Sequence, residues 1–334
     1  MSELRRDPIT GRTVIIAPER LVSTRMWRPV PPPTANSDDL CPFCEGQEHL
    51  AGRELLAWRG SGQSYNGPGW RVRVVPNRLP ALRVESHYAE PTAAMFQTLG
   101  GLGAHEVIIE SPDHHADWSS MSADDLRMVL WAWRERMRDL RRDVRLKTFL
   151  VVKNVGAGAG ATVEHPHSQL LALPFVPLHL DDELTAAREC EKREHRCPYC
   201  TLIADEIAND VRVIASDNDT IAISAFAARV PFETWILPRR HLAAFDDECD
   251  DCLVAIAERI RDTIARLHVA LNAPPYSVLL HTAPVGESST SYHWHIEVIP
   301  RLAPASGLAW GGGIHINPVA PEEATRVLRD ALRS

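Results

Sequence analysis

Apolar residues along this chain come in short punctuated runs, and their period switches between two and about 3.6. After the turn signals Asp7-Pro8 and Thr10-Gly11, a strand is predicted at residues 13–16. Residues 70–75 alternate and predict a second strand, and residues 105–110 predict a third. Ser122 is placed to cap a helix over 123–142, because Leu126, Val129, Leu130, Trp133 and Met137 fall on one helical face. Residues 149–152, Phe-Leu-Val-Val, are short, β-branched and followed by a turn signal, which predicts a buried strand. A charged run at 181–196 predicts a solvated helix, and residues 247–271 predict a second amphipathic helix.

These elements repeat. Each half opens on C-P-aromatic-C, at Cys41/Cys44 and at Cys197/Cys200. Each continues to a strand ending in histidine, at His114 and at His241, and then to an amphipathic helix, an apolar strand, a loop and a histidine cluster. The clusters are His165-Pro-His167-Ser-Gln169 and His293-Trp-His295-Ile-Glu297, and nearly the same spacing separates His114 from His165 as His241 from His293. Four landmarks in the same order indicate a duplicated α+β unit. The proline- and charge-rich stretch after Pro174 divides the chain into residues 1–178 and 179–334.

The repeat also assigns metal ligands. Two cysteines from a tight knuckle and two strand-end histidines make a Cys₂His₂ set suited to zinc. One site is expected at Cys41, Cys44, His114 and His165, and a second at Cys197, Cys200, His241 and His293, with His115 and His295 as alternatives to their neighbours. Buried reduced cysteines account poorly for two such pairs. Cys249 and Cys252 share the C-x-x-C spacing, but in an acidic helical context that predicts helix positions and no ligation.

Between strand 149–152 and the first histidine cluster lies a loop carrying Gly156, Gly158 and Gly160. Glycines let a backbone approach a phosphate closely and turn N–H groups towards it. On an extended segment His165, His167 and Gln169 share one face. An imidazole there can accept and release a phosphoryl or nucleotidyl group, and a neighbouring amide can donate to its oxygens. With His165 on the metal, His167 is the candidate nucleophile and Gln169 its partner. An H-x-H pair alone is more often a metal site or a surface feature; the repeat is what separates the two roles.

Composition narrows the classes. Hydrophobic residues make up 45% and charged residues 24% of the 334, enough for a folded core. A net charge of −8 gives no electrostatic footprint for nucleic acid, which argues against a zinc-knuckle nucleic-acid module. No apolar run is long enough to span a bilayer and no leader precedes the first strand, so a cytoplasmic protein is expected. Seven cysteines in such a chain argue against disulfides. A purely structural zinc protein is the other competing class, and it leaves His167 without a task.

The glycine loop followed by H-P-H-S-Q, the C-P-F-C near residue 40 and V-V-P-N-R-L-P-A-L at 74–82 resemble the galactose-1-phosphate uridylyltransferase family of the histidine-triad superfamily. The resemblance covers nearly the whole chain. It implies two tandem histidine-triad-like domains, each an antiparallel sheet with packed helices, and ping-pong nucleotidyl transfer through a nucleotidyl-histidine between a nucleotide-sugar and a sugar 1-phosphate or phosphate. His167 matches the family nucleophile, Gln169 the residue that steadies the phosphoryl oxygens, and Thr162 a phosphate-contacting serine. Asn154 and the glycines match the phosphate loop, Asn77 a base-binding position, and Arg25 and Arg28 the early phosphate-binding arginines. The first zinc set corresponds to the family's, while the second metal is open between zinc and iron, as is a homodimer. Arg78 stands where the uridylyltransferases have an acidic residue, and the C-terminal G-G-G-I-H-I-N-P, together with C-P-Y-C and W-I-L-P-R-R-H, resembles the ADP-glucose phosphorylase branch. A uridylyltransferase-like activity is therefore expected, with adenylyl transfer from ADP-glucose as the alternative.

Overall fold

The computed structural model describes residues 2–20, 41–87, 99–287, 290–304 and 306–333. Arg25 and Arg28 lie outside the described residues. In chain order the elements are β1 (Glu3–Arg6), β2 (Thr13–Ile16), α1 (Glu48–Ala51), β3 (Leu56–Arg59), β4 (Trp70–Pro76), β5 (Ala104–Ile109) and α2 (Ala123–Leu140). The first half closes with β6 (Thr148–Val155) and β7 (His167–Leu173). The second runs through α3 (Leu178–Glu194), α4 (Pro198–Asn209), β8 (Val213–Ser216), β9 (Thr220–Ser224), β10 (Thr234–Pro238), α5 (Asp250–Leu271), β11 (Tyr276–His281) and β12 (His295–Pro300). The short α6 (Gly307–Gly312), β13 (His315–Asn317) and α7 (Pro321–Asp330) complete it.

The two repeats do not form separate sheets. One ten-stranded sheet runs β3-β4-β5-β7-β6-β11-β12-β10-β9-β8. Read outward from its middle, the order β6-β7-β5-β4-β3 is matched by β11-β12-β10-β9-β8, so the duplication predicted from spacing is visible as topology. The halves join where β6 and β11 pair antiparallel, from Tyr276 opposite Val155 to Leu280 opposite Val151. The apolar runs on both central strands make this join possible, since each presents side chains to a buried face on either side of the seam.

One face of the sheet packs on α2 and α5. Leu126, Trp133 and Met137 from α2 and Leu253, Ile256 and Ile260 from α5 meet Val74, Ile108, Val151 and Leu170 of the first half and Val278 and Ile296 of the second in a single core. The helix predicted over 123–142 forms as α2, and Ser122 caps it by accepting from the Asp125 N–H. Trp133 of α2 also donates to Ser168 Oγ at 2.8 Å, tying the helix to the strand that carries His167 and Gln169. The chain cut at residue 178 separates the repeats in sequence, but packing crosses it. β13 pairs parallel with β2, and Val14 and Ile16 pack with Ala227 of the second half.

One expectation is overturned. Cys249 and Cys252 form a disulfide across the first turn of α5, where the N-cap position of Cys249 brings the Cα atoms to 5.2 Å. The acidic sequence context does not reveal that the chain turns at this point.

Candidate active site

The opposite face of the sheet carries the candidate site residues His167 and Gln169. β7 pairs with β5 on one side and with β6 on the other, with Val107 opposite Gln169 and Ile109 opposite His167 on β5. Alternation places His167 and Gln169 on this face and sends Ser168 and Leu170 to the α2 core.

The structure brings together both predicted metal sets. The ligand atoms of Cys41, Cys44, His114 and His165 lie within 4.8 Å of one another, as do those of Cys197, Cys200, His241 and His293. Cys44 Sγ stands 3.3 Å from His114 Nδ1 and 3.7 Å from His165 Nδ1; Cys200 Sγ stands 3.3 Å from His241 Nδ1 and 3.6 Å from His293 Nδ1. A tetrahedral zinc with bonds of about 2.3 Å to sulfur and 2.0 Å to nitrogen needs S···N edges of about 3.5 Å, so the spacing fits. The outer groups fit too. His165 Nε2–H donates to the Ser111 carbonyl at 2.7 Å and His293 Nε2–H to the Pro238 carbonyl at 2.9 Å, which leaves each Nδ1 as the ligating nitrogen. Burial pushes the Cys44 thiol up to about 11 and lowers His165 to about 4, so without a cation the thiol stays protonated and the ring neutral.

His167 is half-buried beside this set, with the Phe43 ring of the first knuckle 5.4 Å from its own. Its Nδ1–H donates to the His165 carbonyl at 2.9 Å. That bond fixes the tautomer and leaves Nε2 as a free base, and burial holds the pKa of the ring below the usual histidine value. His165 and His167 are therefore coupled in one direction: the ligand histidine's backbone aims the candidate nucleophile. A pocket opens beside them, lined by Lys153, Asn154, Gly156, Glu164, His165 and His167.

The second repeat copies this arrangement and then closes it. His295 Nδ1–H donates to the His293 carbonyl at 3.1 Å, as His167 does to His165. Yet His295 is 0% exposed, stacked on His281 at 4.6 Å and packed between Tyr199 and Trp235. Around it, His281 contacts Glu183 at 3.1 Å and Glu297 at 3.5 Å, and Arg229 pairs with Glu233 and Glu297. Burial opposes a charge on His281, but the two carboxylates hold its pKa up at about 10, and burial with that neighbouring charge depresses His295 to about 4. Within this cluster the two cations His281 and Arg229 face three carboxylates, Glu183, Glu233 and Glu297. The H-x-H-x-E pattern hinted at it, but Glu183 and Arg229 carry no sequence signal linking them to it.

The glycine loop departs in part from expectation. Gly156 lines the pocket with φ of +78°, but Ala159 N–H and Ala161 N–H donate to the Gly156 carbonyl and Gly160 N–H donates to Ala157. These three amides turn inward rather than towards a ligand. A Cβ at Gly158 would meet Pro275 at a tight 3.0 Å, and Gly160 holds a φ of +85° that favours glycine. Thr162 is exposed at the end of the loop. Asn154 faces β11, where it accepts a hydrogen bond from Ser277 Oγ at 2.9 Å. Asn77 belongs to another pocket, lined also by Leu50, Arg53 and Arg78.

Two residues without a sequence signal underlie the site. Lys153 Nζ pairs with Glu110 at 2.5 Å, lies 3.5 Å from the His167 carbonyl and sits 4.9 Å from the Trp118 ring centre. Trp118 Nε1–H also donates to Glu110. Both side chains are almost fully buried behind the strand that carries His167.

Residues 1–177 match the family described as galactose-1-phosphate uridyl transferase, N-terminal domain. An ADP-glucose phosphorylase of Arabidopsis thaliana is 32% identical, over 98% of this chain and 92% of that protein. A galactose-1-phosphate uridylyltransferase of Thermotoga maritima is 27% identical, over 99% and 98% of the two chains. Among solved structures, an ADP-glucose phosphorylase from Arabidopsis thaliana with bound ADP-glucose superposes with a TM-score of 0.82 at 31% identity, covering 99% of this chain and 98% of that one. A uridylyltransferase structure gives 0.76 at 27% identity, covering 100% and 99%. The family match over the first half, joined to relatives along the full length, shows that the chain belongs to the galactose-1-phosphate uridylyltransferase family and is a nucleotidyltransferase.

Proposed function

We propose that the protein transfers a nucleotidyl group from a nucleotide-sugar to a sugar 1-phosphate or to phosphate, by way of a covalent nucleotidyl-His167. The observation that carries this reading is the contrast between the repeats: His167 Nε2 is free beside an open pocket, whereas its counterpart His295 is enclosed. Nε2 attacks the α-phosphorus, the N–P bond forms, and the bond to the sugar phosphate breaks. The Nδ1 proton stays on the ring, and its hydrogen bond to the His165 carbonyl steadies the positive charge that develops. The leaving sugar phosphate is weakly basic, so positioning and charge stabilisation supply most of the acceleration. A second phosphate then attacks the same phosphorus and releases His167. Residues 1–178 form the catalytic half in this reading, with Gln169 donating to the transferred group and Arg25, Arg28, Asn154 and Thr162 on the phosphates.

Incubation with labelled UDP-glucose and, separately, ADP-glucose is expected to give an acid-labile, base-stable adduct that peptide mapping places on His167. An absence of adduct with both donors sinks the reading. The full-length likeness to an ADP-glucose phosphorylase supports an adenylyl donor with inorganic phosphate as acceptor. Under that reading kcat/KM is higher for ADP-glucose, and a large preference for UDP-glucose with galactose 1-phosphate returns the chain to uridylyl transfer.

The two Cys₂His₂ sets are proposed to hold one zinc each, with purely structural roles. Metal analysis of purified protein is expected to give about two zinc ions per chain, and Cys197→Ser to give about one. Because metal binding at such sites is coupled to folding, Cys44→Ser should loosen the start of β7 and weaken labelling as well. Zinc content unchanged by Cys197→Ser rejects the second site.

A further inference from the structure

We infer that His105 is a positioning residue that orients the carboxamide of Gln169 for the transferred phosphoryl group. His105 lies on β5 directly opposite Leu171, on the same face as Gln169 and His167. The Ala81 backbone N–H reaches His105 Nδ1 at 3.1 Å. A backbone N–H can only donate, so Nδ1 is the unprotonated nitrogen and the neutral ring carries its proton on Nε2. That Nε2–H lies 2.7 Å from Gln169 Oε1 and donates to it. With the amide turned over, two donors would face each other across this short distance. The ring therefore holds the Gln169 oxygen towards itself, and the NH₂ points away from it.

Asn77 is anchored by the same turn. Its Oδ1 accepts the Leu79 N–H at 2.9 Å, which places Nδ2 at 3.1 Å from His105 Nε2. As that nitrogen is already protonated, the ring takes no hydrogen bond from Asn77, whose amide is oriented by the Leu79 N–H. The turn at 77–81 thus sets the orientation of both amides through two backbone N–H groups and one imidazole. No tight partner other than His105 holds the Gln169 side chain among the described residues.

The inference rests on His167 as the nucleophile, and the experiment keeps the two apart. Label uptake from nucleotide-sugar and label discharge to the acceptor are measured for the wild type, Gln169→Ala, His105→Ala, His105→Gln and the His105→Ala/Gln169→Ala double variant. Gln169→Ala is expected to slow both steps by roughly 10²–10³-fold, the cost of one well-placed donor. His105→Ala is expected to slow them about 10–100-fold, the scale of a misaligned group, with KM for the nucleotide-sugar changed less than about threefold. In the Gln169→Ala background the same change should cost less than about threefold more, because one orienting role cannot be lost twice. His105→Gln, which can still present an N–H to Gln169, should retain more activity than His105→Ala. Losses that multiply in the double variant, or His105→Ala at the wild-type rate while Gln169→Ala is slow, overturn the inference. A wild-type chain that takes no label overturns the nucleophile assignment itself.

Discussion

Replacement of His167 by glycine is expected to abolish nucleotidyl exchange, by roughly 10⁴-fold or more, while zinc content and thermal stability stay close to those of the wild type. The size of the loss follows from the proposed role of His167 Nε2 as the atom to which the nucleotidyl group is bonded. No neighbour can replace it: His165 Nε2 is committed to the Ser111 carbonyl and its Nδ1 to the metal set, and His295 is sealed under Tyr199 and His281. Stability should hold because the ring is only half-buried and its one hydrogen bond runs to a backbone carbonyl that water can satisfy once the ring is gone. Added imidazole is expected to restore a measurable fraction of turnover by entering the vacated space, with a nucleotidyl-imidazole as the detectable product. Near-normal turnover in His167→Gly, or label mapped to His295, would falsify the assignment of the catalytic half.

Lys153→Met is expected to destabilise the fold by about 3–5 kcal/mol, read as a lower denaturation midpoint with an unchanged slope. The reason is the state of Glu110 after the change. Its Oε2 is held by Lys153 and Trp118, and its Oε1 has no partner among the described residues, so removal of the lysine leaves a carboxylate almost fully enclosed with a single hydrogen bond. Pairing the change with Glu110→Leu should recover most of the loss, since an apolar pair of similar volume avoids desolvating either charge. The single variant should also label slowly, because Lys153 sits 3.5 Å from the His167 carbonyl and movement there shifts the strand that carries His167. A single variant whose unfolding free energy lies within about 1 kcal/mol of the wild type shows that the pair is dispensable.

Much of the site was legible because its chemistry is local in sequence. Cys41-Pro-Phe-Cys44 and His165-Pro-His167-Ser-Gln169 each place their groups within one turn or one strand, and the duplication supplied the long-range pairing of knuckle with strand end. The repeat held down to single hydrogen bonds: the carbonyls that orient the ligand histidines, Ser111 and Pro238, stand three residues before His114 and His241 in both halves. The strands and helices around them were equally readable, since a half-buried strand must alternate and a core-facing helix must show its stripe.

The sequence by itself indicated the main strands and helices around the site, the duplicated order and both Cys₂His₂ sets, and it singled out His167 as the candidate nucleophile. Each of these depends on spacing along a strand, a turn or a repeat. Only the tertiary structure decided that the two sheets fuse through β6 and β11, that the glycine-loop amides turn inward, and that Cys249 meets Cys252. It also decided that His295 is enclosed while His167 is open, and that Glu110 with Lys153 and His105 with Gln169 form pairs. Those outcomes depend on which residues from distant strands share a face and a depth. Burial and cross-strand partnership, not residue type, decide there whether an imidazole is a nucleophile, an orienting group or part of a core.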